Sequence, residues 1–193
     1  QRGTPFGYMA DGQLNVVYGK YNAAAGKGDI SRLRPKRDNV LKRSRTMLST
    51  GHVLSHPYLF EHDGGSMVIP ASSAGRIDLY RMNPANEALD FVRTLLDEPL
   101  CAPMVFQHEG RWWLFGTKAP WEDVALYAYH APALEGPWTA HALNPVKTDV
   151  RSSRPAGTPF MHQGHLYRPA RDNSLTTGWR VALMRVLELS PTA

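Results

Sequence analysis

A single cysteine, Cys101, stands among the 193 residues, so no disulfide can close within the chain and no CxxC pair is available for metal or redox chemistry. A small, buried, apolar position is the expected role for it, ahead of a reactive thiol. No apolar run reaches the ~18 residues that a membrane-spanning helix needs. There is no Gly-rich phosphate loop and no nucleophile elbow, and no cofactor is expected. The opening Gln1-Arg2-Gly3 carries neither an initiator methionine nor a signal-like pattern, so the chain is expected to begin inside a longer gene product. Helix signals are scarce as well. The best stretch, Asn86 to Leu96, contains Phe91, Val92 and Thr94 and reads better as a strand.

A chain of this length buries roughly 70% of its unfolded surface, enough for one substantial domain. The net charge of +5 and pI near 9.5 permit an anionic partner without requiring one. Much of the basic excess is local: Arg32, Arg34, Lys36, Arg37, Lys42, Arg43 and Arg45 crowd one short stretch. A solvated loop or edge strand is the expected setting, since cationic side chains also block edge-to-edge pairing. Nucleic acid is not the expected partner, because that stretch has no recognition motif and no interleaved aromatics.

What is present is a repeat. Phe106 to Lys118 reads as two short strands around Gly110, and the same pattern surrounds Gly12, Gly64 and Gly164. An aromatic precedes each glycine by four positions (Tyr8, Phe60, Phe106, Phe160), and Asp11, Asp63, Glu109 or Gln163 stands directly before it. Further strand-like runs follow each hairpin. The third are Asp29 to Arg34, Arg76 to Arg81, Val124 to Tyr129 and Trp179 to Met184; the fourth are Arg45 to Leu48, Phe91 to Leu96, Trp138 to His141 and Val186 to Leu189. Ile77 and Leu79, like Val124 and Leu126, alternate at the period of a strand with one buried face. A four-stranded unit recurring roughly every 50 residues predicts an all-β chain, a β-propeller of four-stranded antiparallel blades. A β-sandwich explains the short strands but not the same residue types at the same place in each unit. The expectation is one domain over residues 1–193, with repeats at about 4–50, 54–98, 100–148 and 154–193.

Several motifs carry a family resemblance. His52-Val53-Leu54-Ser55-His56-Pro57-Tyr58, Ile69-Pro70-Ala71-Ser72-Ser73, Leu134-Glu135-Gly136-Pro137-Trp138-Thr139, Asp149 to Gly157 and Arg168-Pro169-Ala170-Arg171-Asp172 are among them. Together they resemble the propeller domain at the N-terminus of plant glucosamine inositolphosphorylceramide transferases and of related bacterial proteins. That domain is in turn similar to the five-bladed furanosidase-type propellers of the arabinanase and levansucrase glycoside hydrolases. The resemblance implies a five-bladed ancestry, with the fifth blade largely beyond Ala193. Four visible repeats make either a small ring or part of a five-bladed one, and the latter leaves an open edge unless missing chain or a partner chain covers it.

Antiparallel pairing puts the start of strand one and the end of strand two of each blade on one rim. The starts are Thr4, His56, Ala102 and Ala156, and the ends are Lys20, Ser72, Lys118 and Asp172. Arg154, Arg171 and Asn173 lie beside them. Lys20, Ser72, Lys118, Arg154, Arg171 and Asn173 are the candidate ligand-binding residues, because guanidinium and ammonium groups suit carboxylate or phosphate. The furanosidase-type propellers commonly place acids at strand-one starts, and none stands there in this chain. The family's Pro-Glu-Ser-Ser-like run likewise appears as Pro70-Ala71-Ser72-Ser73, without its acid. Hydrolysis of a glycosidic bond normally takes two carboxylates. Asp149 and Asp172, with His56 as a proton carrier, are the candidate catalytic residues. Each aspartate also has a structural alternative: Asp149 caps a turn before Arg151, and Asp172 pairs with Arg171 or Arg154.

No metal site is expected. His62, His108 and His162 repeat on separate blades, too far apart to share one zinc. His52 and His56 lack the one-face logic of a helical pair. Trp112 and Trp113 point in alternate directions and are expected to pack in the core rather than stack on sugar. The leading expectation is a carbohydrate-associated module that binds a glycan or an anionic sugar conjugate, such as a sugar phosphate, without two-carboxylate hydrolysis. A divergent furanosidase-like hydrolase or glycan-transfer module, and a protein-interaction scaffold, are the alternatives.

Overall fold

The computed structural model describes residues 2–10, 12–35 and 41–193, without the side chains of residues 2 and 41–43. Asp11 of the first turn, Lys36 and Arg37, and the side chains of Lys42 and Arg43 therefore lie outside the described residues. Every regular element described is a strand. Contacts divide the chain into two compact units, Gln1–Pro99 and Leu100–Ala193.

The first unit holds two antiparallel four-stranded sheets in simple sequential order. One is β1 (Arg2–Ala10), β2 (Gln13–Asn22), β3 (Lys27–Pro35) and β4 (Leu41–Leu48); the other is β5 (Leu54–His62), β6 (Gly65–Ser72), β7 (Ile77–Met82) and β8 (Leu89–Leu96). Val17, Ile30 and Met47 from the first sheet meet Leu54, Val68, Tyr80 and Leu89 from the second in one buried cluster. Backbones come close here. A Cβ on Gly28 would sit 2.7 Å from the Leu54 carbonyl oxygen, so only glycine fits.

In the second unit β9 (Cys101–His108), β10 (Arg111–Thr117) and β11 (Ala125–Ala131) pair in order, and two short strands, β12 (Thr139–Ala140) and β13 (Lys147–Thr148), share the outer edge of β11. A second sheet joins β14 (Phe160–His162), β15 (His165–Asp172) and β16 (Arg180–Arg185). Both faces of β10 are covered. Trp112 is 8% exposed and Trp113 2%, and Trp113 packs edge-on to His130 at 5.7 Å between ring centroids.

The turn chemistry explains the repeat. Gly12, Gly64, Gly110 and Gly164 have φ between 67° and 76°, and Asp63, Glu109 and Gln163 before the last three have φ of 48° or 49°. Two successive left-handed residues make the type I′ turn whose twist matches a hairpin. Asp and Glu there also meet the histidines, His62 with Asp63 at 3.3 Å and His108 with Glu109 at 3.8 Å.

Three expectations need correction. Val186–Leu189 forms no strand: the Val186 N–H still reaches the Leu166 carbonyl, but the chain then turns aside and the Pro191 carbonyl accepts from Ala142. The first strand of the last repeat starts only at Phe160, because Pro155 and Pro159 lack ladder donors; one bridge, Pro155 with Ala170, marks its earlier course. The basic stretch does include an edge strand, β4, but its arginines are not simply solvated. Arg32, Arg34 and Arg45 all reach the carboxylate of Glu87, on the turn before β8.

Candidate rim sites on the two units

Thr4, His56 and Ala102, the strand-one starts of the first three sheets, share one unusual backbone state, with φ of 47° or 48°. Each sits where the register of its hairpin slips by a residue. Such a bulge re-aims the side chain at a strand end, and L residues accept positive φ only at a cost of about 1–2 kcal/mol. Ala156, the fourth start, lacks this state; its N–H donates to the Pro169 carbonyl at 3.1 Å.

On the first unit the bulges bring Thr4 and His56 together, with 3.1 Å between Thr4 Oγ1 and His56 Nδ1. A small cleft of about 180 Å³ opens beside them, lined by Gly3, Thr4, Gly19, Tyr21 and Val53 to Ser55. Among the described residues no carboxylate lines it. Register sets Lys20 opposite Arg2 and Ser72 opposite Leu54 at the same strand ends. Lys20 is exposed, whereas Ser72 Oγ accepts from the Ala74 N–H at 3.1 Å.

On the second unit the segment from Asp149 to Pro155 is tightly organised. The Asp149 carbonyl accepts from the N–H groups of Ser152 and Ser153, while its carboxylate takes the Arg151 N–H, the Arg151 guanidinium and the Ser152 hydroxyl. Arg168, 3% exposed, donates to the carbonyls of Ser152 and Ser153 from beneath. Burial lowers its pKa to about 10, still well above neutrality. This clamp presents Arg154, whose Nη1 donates to Asp123 Oδ1 at 2.8 Å; Asn173 Nδ2 donates to the same oxygen at 2.7 Å. Arg171 stands close by, its pKa lowered by burial and by Arg154 and supported by Asp123. Lys118 lies over the Tyr127 ring, 4.6 Å from its centroid.

Asp172 is buried and does not pair with Arg171 or Arg154. Adjacent strand residues face opposite sides, and register places Arg180 directly across from it; the Arg180 Nε donates to Asp172 Oδ2 at 2.7 Å. Ser174 supplies its N–H and hydroxyl to the other oxygen. The Ser174 donors, with Arg180, hold the Asp172 carboxyl at about 2, and those of Arg151, with Ser152, do the same for Asp149. Groups so acidic carry no proton to donate at neutral pH. Their hydrogen bonds are those of turn and strand anchors. Burial pushes the Cys101 thiol up, away from a reactive thiolate.

Strand ends alone did not reveal Asp123. It lies in the loop after Lys118, a position the repeat does not mark, and the one available signal was the acidic pair Glu122-Asp123 following a rim residue.

A family model described as glucosamine inositolphosphorylceramide transferase 1, N-terminal, matches residues 2–193. The chain belongs to this family. A rice relative, glucosamine inositolphosphorylceramide transferase 1 of Oryza sativa subsp. japonica, is 28% identical over 96% of this chain, and the match spans 26% of that protein's length. Family membership thus concerns about a quarter of such a transferase. Among solved structures, an exo-β-1,3-galactanase of Phanerochaete chrysosporium bound to β-1,3-galactotriose aligns with 94% of this chain and 45% of its own, at a TM-score of 0.69 and 15% identity. An endo-arabinase of Bacteroides thetaiotaomicron aligns with 98% of this chain and 76% of its own, also at 0.69 and with 12% identity. At these identities the likeness establishes fold alone, and that fold is the β-propeller expected from the repeat.

Proposed function

We propose that this member of the family is a carbohydrate-associated module that binds a glycan or an anionic sugar conjugate and does not hydrolyse it with a carboxylate pair. The observation that carries the reading is the Arg154–Asp123–Asn173 group on the rim of the second unit, held in place by the Arg168 clamp. Planar guanidinium, carboxylate and carboxamide groups fixed by buried supports are the polar equipment of a sugar site. The acids that a hydrolase would need are absent from Thr4, His56, Ala102 and Ala156, while Asp149 and Asp172 are engaged by neighbours and strongly acidic. The reading extends to the exposed side of β16, where Val181 and Leu183 are each 60% exposed; a further segment or a partner chain would cover them.

A panel of neutral, uronic and phosphorylated oligosaccharides tested by calorimetry, with a reducing-end assay beside it, examines this reading. Binding without product release is expected. Arg154→Ala should weaken binding about tenfold, the effect of one charge-assisted contact, while leaving the melting temperature nearly unchanged. Steady release of reducing ends would replace a binding module by an enzyme, and an empty panel would remove the glycan altogether.

A further inference from the structure

The two sheets of the second unit border a cavity of about 480 Å³, and Arg154, Asp123 and Asn173 are not part of its wall. Register fixes which side chains look into it. On the first of these sheets Phe115 lies across from Ala128, two residues beyond Leu126, and Leu126 lies across from Lys147, so Phe115, Leu126 and Lys147 share one face. On the other, Arg168 of β15 lies across from Met184 of β16 and shares its face. All of these residues line the cavity, together with Leu143 and Val146 from the turn between β12 and β13. The chain leaves its sheet after Val186 without making a fourth strand, and Val186, Glu188 and Leu189 form the rest of the wall.

Such a wall is mostly apolar, which suits a hydrocarbon body better than a hydroxyl-rich ring. One charge is set into it. Arg168, 3% exposed, donates from Nη1 to the Ser153 carbonyl and from Nη2 to that of Ser152, which uses two of the five N–H groups of a guanidinium. Among the described residues no carboxylate pairs with it; burial alone acts on its pKa, and at about 10 the group stays charged at neutral pH. A buried charge without a counterion costs free energy that an anion in the adjoining space would offset. Lys147 brings a second cation. Its Nζ stands 3.9 Å from Asp149 Oδ2, a long contact to a carboxylate that Arg151 already holds. Glu188, the acid among the described lining residues, is exposed to solvent.

We propose that this cavity binds a small amphipathic anion, with a hydrocarbon body against Phe115, Leu126, Val146 and Met184 and a carboxylate or phosphate head against Arg168 and Lys147. Its volume lies within the range of about 300–1,000 Å³ typical of small-molecule sites. Both head groups present the oxygen pair that a guanidinium fork accepts, and an ammonium adds a movable charge beside it. The inference goes beyond the glycan-binding reading and does not depend on it.

Calorimetry on the intact chain compares octanoate and octyl phosphate with octanol and octylammonium, which share the body and differ in the head. At least one of the two anions should bind about tenfold more tightly than octanol, and octylammonium more weakly than octanol. The tighter anion names the head group. Binding should move the methyl resonance of Met184 and leave that of Met9, in the first unit, where it is. Arg168→Met keeps a long side chain without the charge and should bring the anion down to the affinity of octanol. Because Arg168 also holds the Ser152 and Ser153 carbonyls, Lys147→Gln and Leu143→Asp test the charge outside that clamp; Leu143 is 62% exposed, so its replacement leaves folding intact. Lys147→Gln should weaken the anion about threefold relative to the parent, and Leu143→Asp about threefold relative to Leu143→Asn, the effect of one partly solvated charge, while octanol does not distinguish the last two. An anion that binds no more tightly than octanol, or that ignores both Lys147→Gln and Leu143→Asp, would overturn the proposal. So would binding that leaves Met184 unmoved, or no binding by any probe. The oligosaccharide panel is read separately, so either proposal can fail while the other stands.

Discussion

The two arginine clusters are built from the same residue types and end in different states. On the first unit, Arg32, Arg34 and Arg45 share the single carboxylate of Glu87, and Asn15, fully buried, accepts from Arg32 at 3.1 Å and Arg34 at 2.8 Å. On the second, Arg154 pairs with Asp123, which also accepts from Asn173, and Arg171 stands near enough to feel both charges. The first arrangement uses its charges to tie one sheet to the turn of the next. The second seats one arginine against one loop carboxylate, above a backbone segment held by Arg168. A count of basic residues in the sequence draws attention to the first, and the geometry shows those arginines engaged by Glu87 and Asn15.

The contrast is most severely tested by Glu87→Ala. Removing the shared carboxylate leaves Arg32, 11% exposed, without its ionic partner, and a loss of about 2–3 kcal/mol is expected for a charge so protected. Arg34 and Arg45, at 40% and 58% exposure, add little because solvent screens them. Urea denaturation measures the loss, and Glu87→Gln should restore part of it by keeping an acceptor. Unaltered stability would make the first cluster a loose surface group and dissolve the distinction between the two.

Next in size is Gly110→Val. Gly110 has φ of +73° and nothing within 4 Å of the position a Cβ would take. The cost, about 1–2 kcal/mol, is therefore conformational and owes nothing to crowding. An unchanged melting curve would mean that the turn can relax, and the repeat's anchor would lose its physical basis.

The turns were readable in the sequence because their demand is local: a glycine at positive φ with Asp, Glu or Gln before it announces the hairpin by itself. Strand order followed from short connections. The bulges at Thr4, His56 and Ala102 were not readable, because threonine, histidine and alanine share no chemistry that advertises a left-handed backbone. The fate of Val186–Leu189 was hidden for another reason. Its pattern suits a strand, but the tail finds hydrogen bonds at Ala142 instead, and that choice depends on a segment far away in the chain. At the candidate site, Arg154, Arg171 and Asn173 were visible from their positions beside strand ends. Asp123 was not, since a loop residue takes its place from tertiary contacts and not from the repeat.

The smallest expected effect separates the units by pH. The carboxyls of Asp149 and Asp172, both on the second unit, sit at about 2 in place of the ordinary 3.8. Folding therefore gains from each in full above about pH 4, and the gain disappears as pH falls from there through 2, when the folded form must also take up the proton. Asp149→Asn should flatten this part of the acid unfolding profile, because the amide still accepts from the Arg151 N–H but no longer changes charge. Residue-resolved hydrogen exchange between pH 4 and pH 2 would follow the Asp149 turn and β15 separately from the first unit's strands. Retention of the full acid dependence by Asp149→Asn would mean that the Arg151 contact is no stronger in the folded chain than in the unfolded one, and that the clamp beneath Arg154 is held by Arg168 alone.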